Sequence, residues 1–394
     1  MMDQKRKPRD IVWVAQGIEG YGVLAAIFGL AQQVRAQGDR VRIVTMCEGP
    51  ITVYARQHGY ECECLGMNRT FQIRAGLAGR FVSLVQTAYL MLAYLLRLRR
   101  WLRRHEPDYV HIVPNILAVP AVLAGRLASV RPIWEMSNAV GGGYPLSLNK
   151  RFYQVACRLS NSIVLANSHY SGTTVAGWGV QPITFHLGVD PERFNPGKVE
   201  SVQRAELGLN ETDVVVALFA RLVREKGLLI LLEVVAALKD EFPQLKVLVA
   251  GGPTESDYAQ EVKLRIDRLG LGGRVLLLGP CDRLERYYQA IDIAVNFRVD
   301  PEPFGLSVIE AMLMEVPVLA HAAGGPGETI VDNVTGWLLP DLNVDLAVAR
   351  LREILRDFDM IQVMGSHARA HALKNFTTEV QCMKYSQILD SIDE

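Results

Sequence analysis

The sequence predicts an α/β chain built from two doubly wound parallel sheets in tandem. Three observations predict it. Short runs of Val, Ile, Leu and Ala alternate with helix-like stretches along nearly the whole length. The apolar runs lack in–out alternation, as expected of strands covered by helices on both faces. The βα series also breaks in a loop-rich stretch and then restarts. At 394 residues, two cores are the natural division.

Taken in order, the first strand is Ile11-Val12-Trp13-Val14-Ala15, followed by a helix over 23–36 and a strand over 41–45. A strongly apolar stretch, Phe81 to Leu96, runs into Arg97, Arg99, Arg100, Arg103 and Arg104 and reads as one long helix. A strand at 109–113, a helix at 115–128 and a strand at 163–167 complete the first series. The loop from Gly188-Val189-Asp190-Pro191 to Asn195-Pro196-Gly197 then interrupts the pattern, so the first domain is placed at 1–190 and the second at 200–375. The second series comprises strands 214–219, 246–250, 274–278, 292–296 and 317–320, with helices at 227–239, 256–269 and 305–314. The helical segment 376–394 follows the completed second sheet and is expected to return to the first domain. Ligands of such sheets bind outside the carboxyl ends of the strands, so two tandem domains are expected to face each other across a cleft.

Net charge is zero, which excludes a generally basic nucleic-acid binder. The charge is nonetheless split. Residues 1–185 carry 21 Lys/Arg against 10 Asp/Glu, and the remainder 21 against 32. The six cysteines, at 47, 62, 64, 157, 281 and 382, lack zinc-site spacing and suit a reducing compartment. Cys62 and Cys64 read as alternate residues of a strand edge. The charged start runs straight into a strand, and no apolar run reaches the ~20 residues of a bilayer span. The expectation is a cytoplasmic protein without a signal peptide.

Four loops carry candidate chemistry. Asp300-Pro-Glu-Pro-Phe-Gly-Leu-Ser-Val-Ile-Glu-Ala-Met312 follows a strand and opens a helix at Gly305. Free N–H groups at a helix start bind anions. Glu302 stands just before it and Glu310 eight residues on, a span of ~12 Å if helical throughout. A carboxylate suits a ribose diol, because it accepts from both hydroxyls. Phe219-Ala-Arg-Leu-Val-Arg-Glu-Lys-Gly227 follows the first strand of the second domain, where Arg221 and Lys226 suit a diphosphate. By itself this loop reads equally as an ordinary charged turn. His321-Ala-Ala-Gly-Gly-Pro-Gly-Glu328 offers Gly324 and Gly325 for close backbone approach, with Glu328 as a helix cap. Gln16-Gly-Ile-Glu-Gly-Tyr-Gly22 lacks the GxGxxG spacing of a dinucleotide fold, but Gly20 and Gly22 leave N–H groups open at a helix start.

Together these stretches resemble the retaining GT-B glycosyltransferases of glycosyltransferase family 4, over most of the chain. The family's E-x7-E motif matches Glu302-Pro-Phe-Gly-Leu-Ser-Val-Ile-Glu310. Its diphosphate loop matches Ala220-Arg221-Leu222 through Lys226-Gly227, with Ala220 where Gly is usual. Its Gly-Gly-x-x-Glu segment matches Gly324 to Glu328, and Leu187-Gly-Val-Asp-Pro through Phe194-Asn-Pro196 matches between the domains. The resemblance implies a GT-B fold of two Rossmann-like domains and a set of roles. Glu302 would be catalytic and touch the transferred sugar, and Glu310 would hold the nucleotide ribose. Arg221 and Lys226 would hold the diphosphate, while Phe304, Gly305 and Leu306 present backbone around sugar and phosphate. Gly20 and Gly22 would close over the phosphate, the usual adjacent glycine pair being Tyr21-Gly22 here. Asn138, after the strand Pro132-Ile-Trp-Glu-Met136, takes the place where many relatives carry His. Asn cannot act as a base near neutral pH. His111, at the end of a strand, reads as structural.

The expected reaction moves a hexose from a UDP- or GDP-type sugar to a glycan or lipid-linked acceptor, with retention. No metal or cofactor is expected, the nucleotide sugar being a co-substrate. The basic helix over 81–104 is a candidate contact with the anionic inner face of the cytoplasmic membrane; a packed helix with a solvated basic end is the rival. Alternatives on the same fold are a sugar-nucleotide epimerase, a phosphorylase and a non-catalytic sugar-nucleotide-binding protein. A dehydrogenase is disfavoured by the glycine spacing.

Overall fold

The computed structural model describes residues 7–67, 77–141 and 148–394, with backbone alone at Tyr21, 77–85 and Leu148. The chain divides into two compact units. Unit 1 is Met1–Gly188 with Gln381–Glu394, and unit 2 is Val189–Val380.

Unit 1 runs β1 (Asp10–Ala15), α1 (Tyr21–Ala36), β2 (Arg40–Thr45), α2 (Pro50–Gln57), β3 (Glu61–Cys64), α3 (Leu77–His105), β4 (Tyr109–Ile112), α4 (Asn115–Ala128), β5 (Arg131–Met136), α5 (Leu148–Ser160), β6 (Ile163–Ala166), α6 (His169–Thr173) and β7 (Ile183–Thr184). The strands form one parallel sheet, β3-β2-β1-β4-β5-β6-β7. Side chains alternate across a strand, so β1 supplies two cores. Val12 and Val14 pack with Tyr94 and Leu98 of α3, Leu117 of α4 and Cys157 of α5. Ile11, Trp13 and Ala15 pack with Ile27 of α1 and with Cys382, Tyr385 and Leu389 near the end of the chain.

His111 has more structure around it than a lone histidine would. It is fully buried, with Nε2 hydrogen-bonded to Glu135 Oε2 at 2.9 Å and Nδ1 to the Tyr385 hydroxyl at 2.8 Å. The Trp13 indole stacks on its ring at 4.9 Å. A polar link inside an apolar core is stable only when its groups find partners. Here the partner hydroxyl comes from the C-terminal helix.

Unit 2 runs β8 (Val214–Phe219), α7 (Leu228–Leu238), β9 (Leu245–Ala250), α8 (Asp257–Arg268), β10 (Val275–Gly279), β11 (Ile293–Asn296), α9 (Leu306–Leu313), β12 (Val318–His321), α10 (Pro326–Thr329), β13 (Gly336–Leu339), α11 (Val344–Arg356) and α12 (Asp359–Asn375); α13 (Thr378–Asp393) then leads into unit 1. Its sheet is parallel in the order β10-β9-β8-β11-β12-β13. In both sheets the order reverses beside the unit's first strand, which is the topological switch point of a doubly wound fold.

Two sequence expectations change. The helix expected from Gly305 begins at Leu306, because Gly305 has φ +93°, in the left-handed region. Glu302 itself pairs as an isolated bridge with Gly324, outside any helix. Only Leu306 to Glu310 of the Glu302–Glu310 span is therefore helical, a rise of about 6 Å rather than two full turns. Glu328, expected as a cap, lies within α10, whose N-cap is Gly325. Among the described residues, no helix is long and apolar enough to cross a membrane.

Candidate active site

The switch point of unit 2 lies between β8 and β11, and the two most informative loops leave these strands. Val299 N donates to Glu225 O at 2.9 Å and ties the β11 loop to the β8 loop. Leu222 N donates to Gly252 O at 2.8 Å and ties the β8 loop to the loop after β9. The chain thereby brings Lys226, Arg298 and Glu302 together.

Glu302 is held from both ends. Its N–H donates to Ala323 O at 3.0 Å and its carbonyl accepts from Gly325 N at 2.7 Å. This pairing needs glycines after β12. A Cβ on Gly324 would lie 2.2 Å from the Glu302 oxygen, at φ +86°, and one on Gly325 would lie 2.2 Å from the Phe304 oxygen. The Glu302 carboxylate is buried yet carries two cations. Lys226 Nζ donates to Oε2 at 2.6 Å, and Arg298 Nη1 lies 3.5 Å from Oε1. The sequence assigned Lys226 and Glu302 to different parts of a ligand; the structure pairs them with each other.

Phe304 is buried, edge-on to Phe376 at 6.4 Å, and Phe376 in turn meets His371 at 5.5 Å. Burial pushes His371 below the usual imidazole range; the Thr329 backbone opposes this and Lys374 adds to it. Leu306 and Ser307 open α9, where first-turn N–H groups have no intrahelical acceptor. Glu310 is buried, and the Tyr288 hydroxyl sits 3.3 Å from its Oε2 and 3.4 Å from the Ser307 carbonyl. Arg221 is exposed. The β8 and β11 loops thus offer a carboxylate, two cations beside it, a third cation at the surface and a helix start. That combination can hold a sugar hydroxyl next to a phosphate.

On unit 1, Gly20 is the N-cap of α1 and Gly22 lies in its first turn; among the described residues beyond their chain neighbours and the helix's own backbone, nothing comes within 4 Å of a Cβ placed on either. The loop before them is already partly satisfied, because Glu19 accepts from Gln16 N at 2.5 Å and Gly17 N at 2.7 Å. Asn138 is exposed after β5, and its carbonyl accepts from Asn115 Nδ2 at 2.7 Å.

Sequence reasoning missed Arg298, Tyr288 and Glu19. Arg298 stands four residues before Glu302, but that spacing predicts contact only on a helix, and this stretch is a loop. Tyr288 lies in a 3-10 segment, Leu284–Ala290, with no signal marking it. Among the described residues, no group of three or more His, Cys, Asp or Glu is arranged to hold a metal ion.

A family model described as glycosyl transferases group 1 matches residues 199–371, and one described as glycosyl transferase 4-like domain matches residues 22–193. The D-inositol 3-phosphate glycosyltransferase of Streptomyces bingchenggensis is 36% identical over 196 residues, 48% of this chain and 43% of that one. The protein of the same name from Rhodococcus opacus is 29% identical over 300 residues, 70% of this chain and 66% of that one. The matched stretch thus spans less than half the length of the first of these relatives. The crystal structure of Alr3699/HepE of Anabaena in complex with UDP aligns with a TM-score of 0.79 at 23% identity, over 97% of this chain and 100% of that one. A glycosyltransferase of Rickettsia africae aligns with a TM-score of 0.83 at 18% identity, over 99% of this chain and 100% of that one. At these identities the two structures establish the shared fold.

Proposed function

Since the chain belongs to the group 1 glycosyltransferases of the family 4 type, we propose that it transfers a hexose from a nucleotide-diphosphate sugar to a glycan or lipid-linked acceptor, with retention and without a metal. The observation that carries this reading is the buried Glu302 carboxylate, fixed by backbone on both sides and set beside Lys226 at the β8–β11 switch point.

In this reaction the bond from the sugar's anomeric carbon to the diphosphate oxygen breaks, and a bond from the acceptor oxygen forms on the same face. The acceptor's proton passes to a departing phosphate oxygen. Glu302 accepts hydrogen bonds from the sugar, and Glu310 from the ribose. Lys226, Arg221 and the first N–H groups of α9 stabilise the charge that develops on the leaving diphosphate. These groups can supply the positive charge that a metal would otherwise bring. Asn138 can orient an acceptor hydroxyl but not deprotonate it. UDP sugars are the first donors to test, because Alr3699/HepE of Anabaena is held with UDP, with UDP and glucose, and with UDP-glucose.

A thermal-shift screen against UDP- and GDP-hexoses, followed by turnover in excess chelator, tests the reading. Donor-specific stabilisation and chelator-resistant release of nucleotide diphosphate are expected. Strict dependence on added Mg or Mn would remove the metal-independent mechanism, and an inverted anomeric product would remove retention.

The partner of unit 1 is proposed from its surface. Along α3, Tyr89, Leu92 and Leu96 are exposed, and Arg100 and Arg103 continue the same stripe. On α5, Phe152, Val155 and Leu159 are exposed among Arg151 and Arg158. Neither helix contains an Asp or Glu. Apolar side chains interleaved with arginine suit an anionic lipid surface. Positions 81–85 of the candidate helix lie outside the described side chains. Flotation with vesicles containing phosphatidylglycerol should carry the protein upward; no flotation would leave α3 a packed helix with a solvated end.

A further inference from the structure

We propose that Arg298 is a positioning residue that takes over Glu302 when a donor diphosphate draws Lys226 away. The inference rests on the proposed role of Lys226 and adds a residue to which neither the sequence motifs nor the family resemblance gave a role.

The geometry begins with an imbalance. Glu302 is a buried carboxylate, and among the described residues its side chain pairs with two cations, Lys226 at 2.6 Å and Arg298 at 3.5 Å. The short contact is with lysine, and the long one is at the limit of a hydrogen bond. A lysine ammonium is a point charge on a flexible stem, able to turn toward a phosphate. If it turns, Glu302 loses its close partner. An unpaired buried carboxylate is costly, and the carboxylate would swing out of place, losing the acceptor geometry a sugar hydroxyl requires.

Arg298 is built to prevent that. Its backbone is anchored, because its carbonyl accepts from His321 Nδ1 at 2.9 Å and the preceding Phe297 is fully buried. Its guanidinium holds a donor in reserve, for Nε is buried without a hydrogen-bond partner among the described residues. A guanidinium that approaches a carboxylate through Nε and one Nη makes the planar two-bond fork that fixes both oxygens. In the ligand-free arrangement lysine is close, arginine is distant and Nε is unspent. With diphosphate bound, the fork closes on Glu302 while lysine serves the phosphate. Glu302 thus stays fixed throughout turnover, and both cations are required although only one would touch the leaving group.

A double-mutant cycle on the full-length protein tests this without a substrate. Urea unfolding is measured for the wild type, Lys226→Met, Arg298→Gln and the double variant. If Arg298 stands in for Lys226, removing it in the Lys226→Met background shifts the midpoint about twofold more than in the wild type, as neighbours in one network do. Additive shifts overturn the proposal. Arg298→Lys should recover most of the coupling, and Arg298→Met carries the cycle if Arg298→Gln does not fold. Calorimetry with UDP separates this proposal from the reading beneath it. Arg298→Gln should weaken UDP several-fold, because Lys226 can then reach the phosphate only by leaving Glu302 unpaired, whereas Lys226→Met should weaken it roughly tenfold or more. In a Glu302→Gln background the loss caused by Arg298→Gln should vanish; a loss that persists there makes Arg298 a phosphate ligand and overturns the hand-over, as does unchanged UDP affinity in Arg298→Gln alone. UDP affinity unchanged in Lys226→Met overturns the diphosphate role of Lys226 instead.

Discussion

Lys226 Nζ lies 2.6 Å from Glu302 Oε2, with both side chains largely out of solvent. Removing one partner of such a pair costs more than the pair contributes, because a buried charge is left behind. Lys226→Met is expected to destabilise unit 2 by about 1–3 kcal/mol, read by urea unfolding. Glu302→Gln should cost a similar amount, since it leaves Lys226 and Arg298 side by side without their carboxylate. It should also lower sugar transfer by roughly 100-fold, the scale of losing one aligned group at a reacting centre. Turnover within a few-fold of the wild type would remove Glu302 from the chemistry.

Glu310 and Tyr288 form the second test. The Tyr288 hydroxyl is 3.3 Å from Glu310 Oε2, so Tyr288→Phe removes a group that helps aim the carboxylate. Donor KM should rise several-fold in Tyr288→Phe, and donor affinity should fall about tenfold in Glu310→Gln. Titration of both variants with the nucleoside diphosphate alone locates the effect. If Glu310 serves the ribose, the loss persists without the sugar; if affinity for the diphosphate is unchanged, the ribose role is wrong.

The glycines separate folding from function. Gly324→Ala would place a Cβ 2.2 Å from the Glu302 oxygen at a left-handed φ. Its stability should fall by about 2 kcal/mol or more, and activity with it. Among the described residues beyond its chain neighbours, a Cβ on Gly20 meets nothing within 4 Å, and Gly20→Ala should stay within about 0.5 kcal/mol of the wild type. If the β1–α1 loop must lie close to a phosphate, Gly20→Ala will still lose turnover while folding normally. Full activity in Gly20→Ala would remove that loop from the donor site.

His371 predicts a pH dependence. Its folded pKa is below that of an ordinary imidazole, chiefly through burial, so the folded state resists the proton that the unfolded chain accepts. The contribution is complete above the unfolded value and is lost as pH falls through the folded one. Thermal unfolding of the wild type should weaken between pH 7 and about pH 5. His371→Asn should show a shallower acid slope over that window, and an identical slope would refute the assignment.

Most strands were legible because burial on both faces writes them as uninterrupted apolar runs, as in Val214-Val-Val-Ala-Leu-Phe219. β7 was not, since two exposed residues, Ile183 and Thr184, make no pattern. β13 was missed because Gly336-Trp-Leu-Leu339 is short and follows a turn. The loops of the candidate site were legible from residue type and from their place after strands. Their internal pairings were not. Arg298 and Lys226 meet Glu302 because β8 and β11 are neighbours in the sheet, and a linear reading contains no such adjacency. Likewise, nothing in the sequence around Glu135 announces that it is buried against His111 and Tyr385.

Helix α13 has a consequence for synthesis. Unit 1 begins with the first residues but takes Gln381–Glu394 as its last piece, whereas unit 2 is continuous from Val189 to Val380. On the ribosome the chain emerges from its N-terminus, so the second unit can be finished while the first still waits for Tyr385 to reach His111 and for Asp390 and Asp393 to reach Arg9. The earliest-made half is the last to be sealed. Loss of Gln381–Glu394 would therefore damage unit 1 rather than the unit that precedes it in the chain.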